Sequence, residues 1–112
     1  MQDSQQFAKT QLYTSDKIRE SLVHIVLEKS LSSVGIYDSV ASEIEKRYNC
    51  NMYECYRHPE YLKAVLEDKH AEIYDLITDS VSRQLEIFSH EKHIAKFLQV
   101  ISPWFKKYGI HD

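Results

Sequence analysis

Cysteine and histidine carry the first chemistry to weigh in this chain. Cys50, Cys55 and His58 follow one another with four and two residues between them, and His70, His90 and His93 add three imidazoles further on. Zinc takes thiolate and imidazole ligands in a tetrahedron, so the residue types fit. The spacing does not, because structural zinc sites use tighter and recurring ligand pairs and only one such group is local here. His90 and His93 share a helix face at three residues apart, which makes a weak two-ligand site. The same cysteines beside His58 have the types of a nucleophile and its base, yet no third orienting group and no oxyanion site accompany them. The expectation is that Cys50 and Cys55 are reduced and metal-free.

Carboxylates come in pairs: Glu67 with Asp68, Asp75 with Asp79, Glu43 with Glu45. Glycosidase-like chemistry needs two carboxyls facing one cleft with different proton affinities, whereas acids strung along helices only solvate a surface. Asp79 with Arg83 and Glu43 with Arg47 stand four apart, the spacing of ion pairs along a helix. Gly35 and Gly109 are the two glycines, too few for any Gly-rich phosphate cradle. No catalytic residue, metal ligand or cofactor site is assigned, and the chain reads as a non-enzyme.

Binding is the remaining class of function. Tyr53, Tyr56 and Arg57 lie in a turn-rich connection, and rigid aromatics with arginine concentrate contact energy at protein interfaces. They are the candidate protein-binding residues. Tyr37, Tyr48, Tyr61 and Tyr74 fit the edge of a core, with rings buried and hydroxyls reaching polar partners. The alternative is a nucleic-acid-binding regulator that uses the carboxy-terminal Lys106 and Lys107, beside Trp104, Phe105 and Tyr108. Residues 90–112 hold four lysines against Glu91 and Asp112, but residues 59–89 hold three basic and seven acidic residues, and the whole chain is net −3 with a pI near 6.0. That balance opposes a broad phosphate footprint, so nucleic acid ranks below a protein partner.

These residues must be positioned by helices. The chain has 112 residues, one domain's worth, with 43% hydrophobic and 28% charged residues. Residues 1–14 read as a flexible or loosely packed lead-in and residues 15–112 as a single helical domain. Thr14, Ser15 and Asp16 offer caps for a helix over about 16–32 with Ile18, Leu22, Ile25, Val26 and Leu31 as its stripe, ended by Gly35 in a left-handed position. A second helix spans about 36–49 and buries Val40, Ala41, Ile44 and Tyr48, with Asn49 and Asn51 marking the exit. Pro59 opens a short third helix bearing Tyr61, Leu62, Val65 and Leu66. Ile73, Ile77, Val81, Leu85 and Phe88, widened by Leu76, predict a fourth helix over about 70–88. Ser89 is the expected cap of a fifth, which buries Ile94, Phe97, Leu98 and Ile101 and stops near 102 before Pro103. The fold class is all-α, a compact bundle or array of about five helices.

The stretch from Ser21 through Leu85 resembles a small archaeal helical output-domain family described in Nitrosopumilus. The likeness is carried by IEKRYNCNMYECYRHPEYLKAVLEDKHAEIYDLI, residues 44–77. Its pattern is a helix ending in Glu45, Lys46, Arg47 and Tyr48, a short connection, Pro59-Glu60-Tyr61 opening a helix, and Ile73 through Leu85 supplying the next. The resemblance implies signal transduction or protein association and assigns no catalytic residue. The expected function is thus a protein-interaction or signal-output domain that can self-associate. Neither a cleavable leader nor a run of roughly 20 apolar residues is visible, which leads to the expectation of a cytoplasmic protein without a transmembrane segment.

Overall fold

The computed structural model describes the backbone of residues 2–102 and the side chains of residues 15–102. Five α-helices form an all-α bundle: α1 Gln2–Ser33, α2 Tyr37–Tyr48, α3 Pro59–Lys69, α4 Tyr74–Gln84 and α5 Lys92–Ile101. Short 3₁₀ turns at Met52–Tyr56, Ala71–Ile73 and Glu86–Phe88 join them. α3 packs between α2 and α5, and α1 packs against α4, α2 and the Met52–Tyr56 turn.

The punctuation of the sequence acts as its chemistry dictates. Gly35 takes φ 75°, its N–H donates to the Ser32 carbonyl at 3.0 Å, and the Ile36 N–H donates to the Leu31 carbonyl at 3.0 Å. These are the two crossed bonds of a Schellman ending, and a side chain at Gly35 would strain that backbone. Asn49 closes α2 in the left-handed region at φ 56°, its N–H donating to the Glu45 carbonyl at 2.9 Å. Pro59 opens α3, where its missing N–H costs no helical bond.

α1 differs from its predicted form in two respects. It begins at Gln2 rather than near 16. Its buried stripe is Val23, Val26, Leu27, Ser30 and Leu31, while Ile18 and Ile25 are exposed. The sequence offers an apolar arc wider than one docking face, and periodicity cannot say which half the neighbouring elements cover. Here α4 and the Met52–Tyr56 turn cover the half centred on Val23, Leu27 and Ser30.

The predicted fourth helix is broken at both ends. α3 runs on to Lys69, a 3₁₀ turn occupies Ala71–Ile73, and α4 stops at Gln84 before the Glu86–Phe88 turn. The stripe survives because residues three apart eclipse one another in a 3₁₀ turn, so Phe88 still lies above Leu85. Leu85 is fully buried and Phe88 half-buried against the same core, while Leu76 is exposed. Ser89 does not cap α5. Its hydroxyl donates to the Glu86 carbonyl at 2.7 Å, and Glu91 caps instead, accepting the His93 N–H at 3.1 Å. Ile94, Phe97, Leu98 and Ile101 are buried as expected, and Ser102 leaves the helix in the extended conformation that a following proline favours.

Candidate functional site

The three residues expected to form a partner surface have three different placements. Tyr53 is exposed, Tyr56 is buried, and Arg57 is clamped in ion pairs. The Asn51 side chain starts this turn by accepting the Tyr53 N–H at 3.0 Å, and the tight winding that follows turns Met52, Cys55 and Tyr56 inward. The Tyr56 hydroxyl accepts a hydrogen bond from Arg19 Nε at 3.1 Å, and burial pushes that hydroxyl's pKa above its usual range. Arg57 reaches back to α1, donating to Asp16 Oδ2 at 2.6 Å and to Glu20 Oε2. Lys17 Nζ approaches the other Glu20 oxygen at 3.3 Å. Arg19 Nε also lies 3.7 Å from Glu91, which ties the start of α5 to the same girdle. Tyr56 and Arg57 therefore weld the turn to α1, and Tyr53 is the one of the three with an exposed aromatic ring.

That ring borders a hollow of about 270 Å³ lined by His24, Tyr37, Ala41, Ser42, Glu45, Cys50, Asn51, Met52 and Tyr53. α2 contributes Tyr37, Ala41 and Glu45 at successive four-residue steps, one ridge along the helix. α1 contributes His24, and the turn contributes Asn51, Met52 and Tyr53. His24 stacks on Tyr53 with ring centroids 3.9 Å apart at 10°, and meets Tyr37 edgewise at 6.1 Å and 85°. A hydrogen bond of 3.0 Å joins His24 Nε2 to the Tyr37 hydroxyl. Burial, followed by the nearby Glu28 and Tyr53 and then Asp38, raises the Tyr37 pKa. Sequence reasoning placed Tyr37 at a core edge, where it is, but it assigned no role to His24. Nothing in the pattern around His24 marks it, since its partners come from α2 and from the turn.

The cysteine and histidine constellation does not assemble. Cys55 is fully buried, its pKa pushed up to about 12 by desolvation, and half-buried Cys50 is raised by the same cause. Both are free thiols. His58 stacks on Tyr61 at 4.7 Å and sits 3.3 Å from Glu60, and His93 sits 3.3 Å from Glu91. Among the described residues no group of three or more His, Cys, Asp or Glu side chains is placed to hold a metal ion. A pKa near 12 leaves a thiolate fraction of about 10⁻⁴ at pH 8, so a disulfide reagent should titrate Cys50 slowly in the native protein and Cys55 only after denaturation. Two thiols reacting at the same rate under native conditions would contradict that burial.

Four of the six paired carboxylates, Glu43, Glu67, Asp68 and Asp79, are engaged along the helix surfaces. Glu43 accepts from Arg47 at 2.7 Å, Asp68 accepts from the same guanidinium, and both acids are held below their usual range by it. Asp79 pairs with Arg83 at 2.9 Å and Glu67 with Lys63 at 2.9 Å. Lys106 and Lys107, with Trp104, Phe105 and Tyr108, lie outside the described residues. No helix among the described residues is long and apolar enough to cross a membrane. No family model matches the chain, and neither a curated protein nor a solved structure matches it.

Proposed function

We propose that this chain is a protein-interaction domain that self-associates through the outer face of α1. The observation that carries the reading is the exposure of Ile18 and Ile25, at 60% and 59%, on a helix whose neighbouring stripe is buried. Single exposed apolar residues are ordinary, but these two stand seven apart with half-buried Leu22 between them, so they form one continuous ridge. Ser30 meets Ser80 and Gln84 while Arg19 meets Glu91, so the chain after α4 runs back alongside α1. It carries exposed Ile87. The ridge is its own complement: an antiparallel pair of α1 helices centred between Ser21 and Leu22 sets Ile18 of one copy against Ile25 of the other, as a two-fold interface requires. The likeness to an output domain supports the same reading.

Sedimentation over a wide concentration range tests it. The expected result is a reversible monomer–dimer equilibrium that the Ile18→Glu/Ile25→Glu double substitution weakens by about 10-fold or more, with the unfolding midpoint of the dilute protein unchanged. A wild-type chain that stays monomeric at every concentration would refute self-association.

A further inference from the structure

The hollow between α1, α2 and the Met52–Tyr56 turn faces a different side of α1 from the isoleucine ridge, because His24 and Ile25 are neighbours about 100° apart on the helix. Its composition is specific. Three rings border it, Tyr53 and His24 parallel and Tyr37 crossed to His24, and the hydrogen bond between His24 and the Tyr37 hydroxyl fixes the corner between the two planes. Glu45 supplies a carboxylate at the rim, and Ser42 and Asn51 supply neutral polar groups. Among the described residues no lysine or arginine lines it. The charges that act on its walls are negative as well: Glu28 and Asp38 on Tyr37, and Glu54 on Cys50.

We propose that this hollow binds an organic ammonium group, primary or N-methylated. An aromatic face attracts a cation through the ring quadrupole, here the face of exposed Tyr53 turned away from its stack on His24, and the Glu45 carboxylate adds a charge of the matching sign. An anion would meet the Glu45 carboxylate and, among the described residues, no lysine or arginine in the lining. A divalent metal would find one carboxylate and a thiol, too few hard oxygens for a cage. A volume of about 270 Å³ lies just below the roughly 300–1,000 Å³ usual for whole small-molecule ligands, which suits a cationic head group whose remainder stays in solvent. The head group can belong to a free amine or to a lysine side chain of another protein. The site is separate from the α1 ridge and does not depend on self-association.

Amide chemical shifts followed by NMR test this with three probes: choline, its uncharged isostere with carbon in place of nitrogen, and a short peptide with one trimethylated lysine. The expected result is saturable shifts around His24, Tyr37 and Tyr53 with choline or the peptide and none with the isostere. Tighter binding of the peptide assigns the head group to a partner protein, and tighter binding of choline assigns it to a free ligand. Tyr53→Leu, at an exposed position that leaves the core intact, should weaken binding by about 5- to 30-fold, and Glu45→Gln by about 3- to 10-fold. Equal shifts with the isostere, or no shifts at the hollow with either cation in the folded protein, would overturn the proposal. Repeating the titration on the Ile18→Glu/Ile25→Glu protein should give the same affinities whether or not the wild-type chain dimerises.

Discussion

Phe97→Ala should lower the unfolding free energy by about 3–5 kcal/mol, the largest loss expected from a single truncation among the described residues. Phe97 is almost wholly buried on α5, on the face that carries Ile94, Leu98 and Ile101 against α3. Its removal takes a large apolar surface out of a packed environment and leaves a cavity that rigid helices on both sides cannot fill by collapsing. Leu85→Ala, at a fully buried position, should cost about 2–5 kcal/mol by the same mechanism. Phe88→Ala should cost less than either, because Phe88 is half-buried at the end of a 3₁₀ turn where solvent already reaches one side of the ring. Denaturant unfolding with the slope held fixed gives the three values directly. A Phe97→Ala protein within about 1 kcal/mol of wild type would mean that α5 does not dock as described.

The second large effect is expected at the girdle between α1 and the Met52–Tyr56 turn. Glu20 keeps a carboxylate only 7% exposed, and Arg57 and Lys17 are the cations that face it. Replacing Arg57 with methionine retains most of the stem but strands that carboxylate beside a single partial partner. Breaking a fully buried ion pair costs about 3–5 kcal/mol, and the 39% exposure of Arg57 reduces the expected loss to about 1–3 kcal/mol. Pairing the change with Glu20→Leu should recover part of the loss, since the stranded charge then disappears. A double-mutant cycle in denaturant separates that coupling from the loss of Arg57 packing. If Arg57→Met unfolds at the wild-type midpoint, the ion pairs of Arg57 contribute nothing and the turn is held by Met52, Cys55 and Tyr56 with its bond to Arg19.

Much of the architecture is written in local chemistry. Gly35, Asn49 and Pro59 end or begin helices because of what each backbone can adopt, and no distant residue is needed to know it. The faces of α2, α3 and α5 are likewise legible, since each helix has one narrow apolar stripe and that stripe is the buried one. The ion pairs Glu43–Arg47 and Asp79–Arg83 also follow from four-residue spacing alone. α1 and the run over residues 70–88 are different. α1 has more apolar surface than the bundle covers, so the positions left in solvent depend on where α4 and the Met52–Tyr56 turn happen to lie. The breaks around α4 leave a helical periodicity untouched, because a 3₁₀ turn and an α-helix place residues three apart on nearly the same side.

The fate of Ser89 shows how a local rule yields to a local competitor. Its hydroxyl had two outlets, the amides ahead of it or the carbonyl behind, and the 3₁₀ turn presents the Glu86 carbonyl at 2.7 Å. Glu91 then becomes the cap by default of position. For the candidate site, the sequence by itself determined a connection between α2 and α3 that carries Tyr53, Tyr56 and Arg57, and the five-helix, all-α class. Only the tertiary structure decided that Tyr56 and Arg57 bond to α1 while Tyr53 stays exposed with one face stacked on His24, and that His24 stands between Tyr53 and Tyr37. The physical reason is that spacing along a chain sets which side of its own helix a residue occupies. Contacts across helices depend on how the helices dock, and His24 meets Tyr37 from thirteen residues away, beyond the reach of any single element's periodicity.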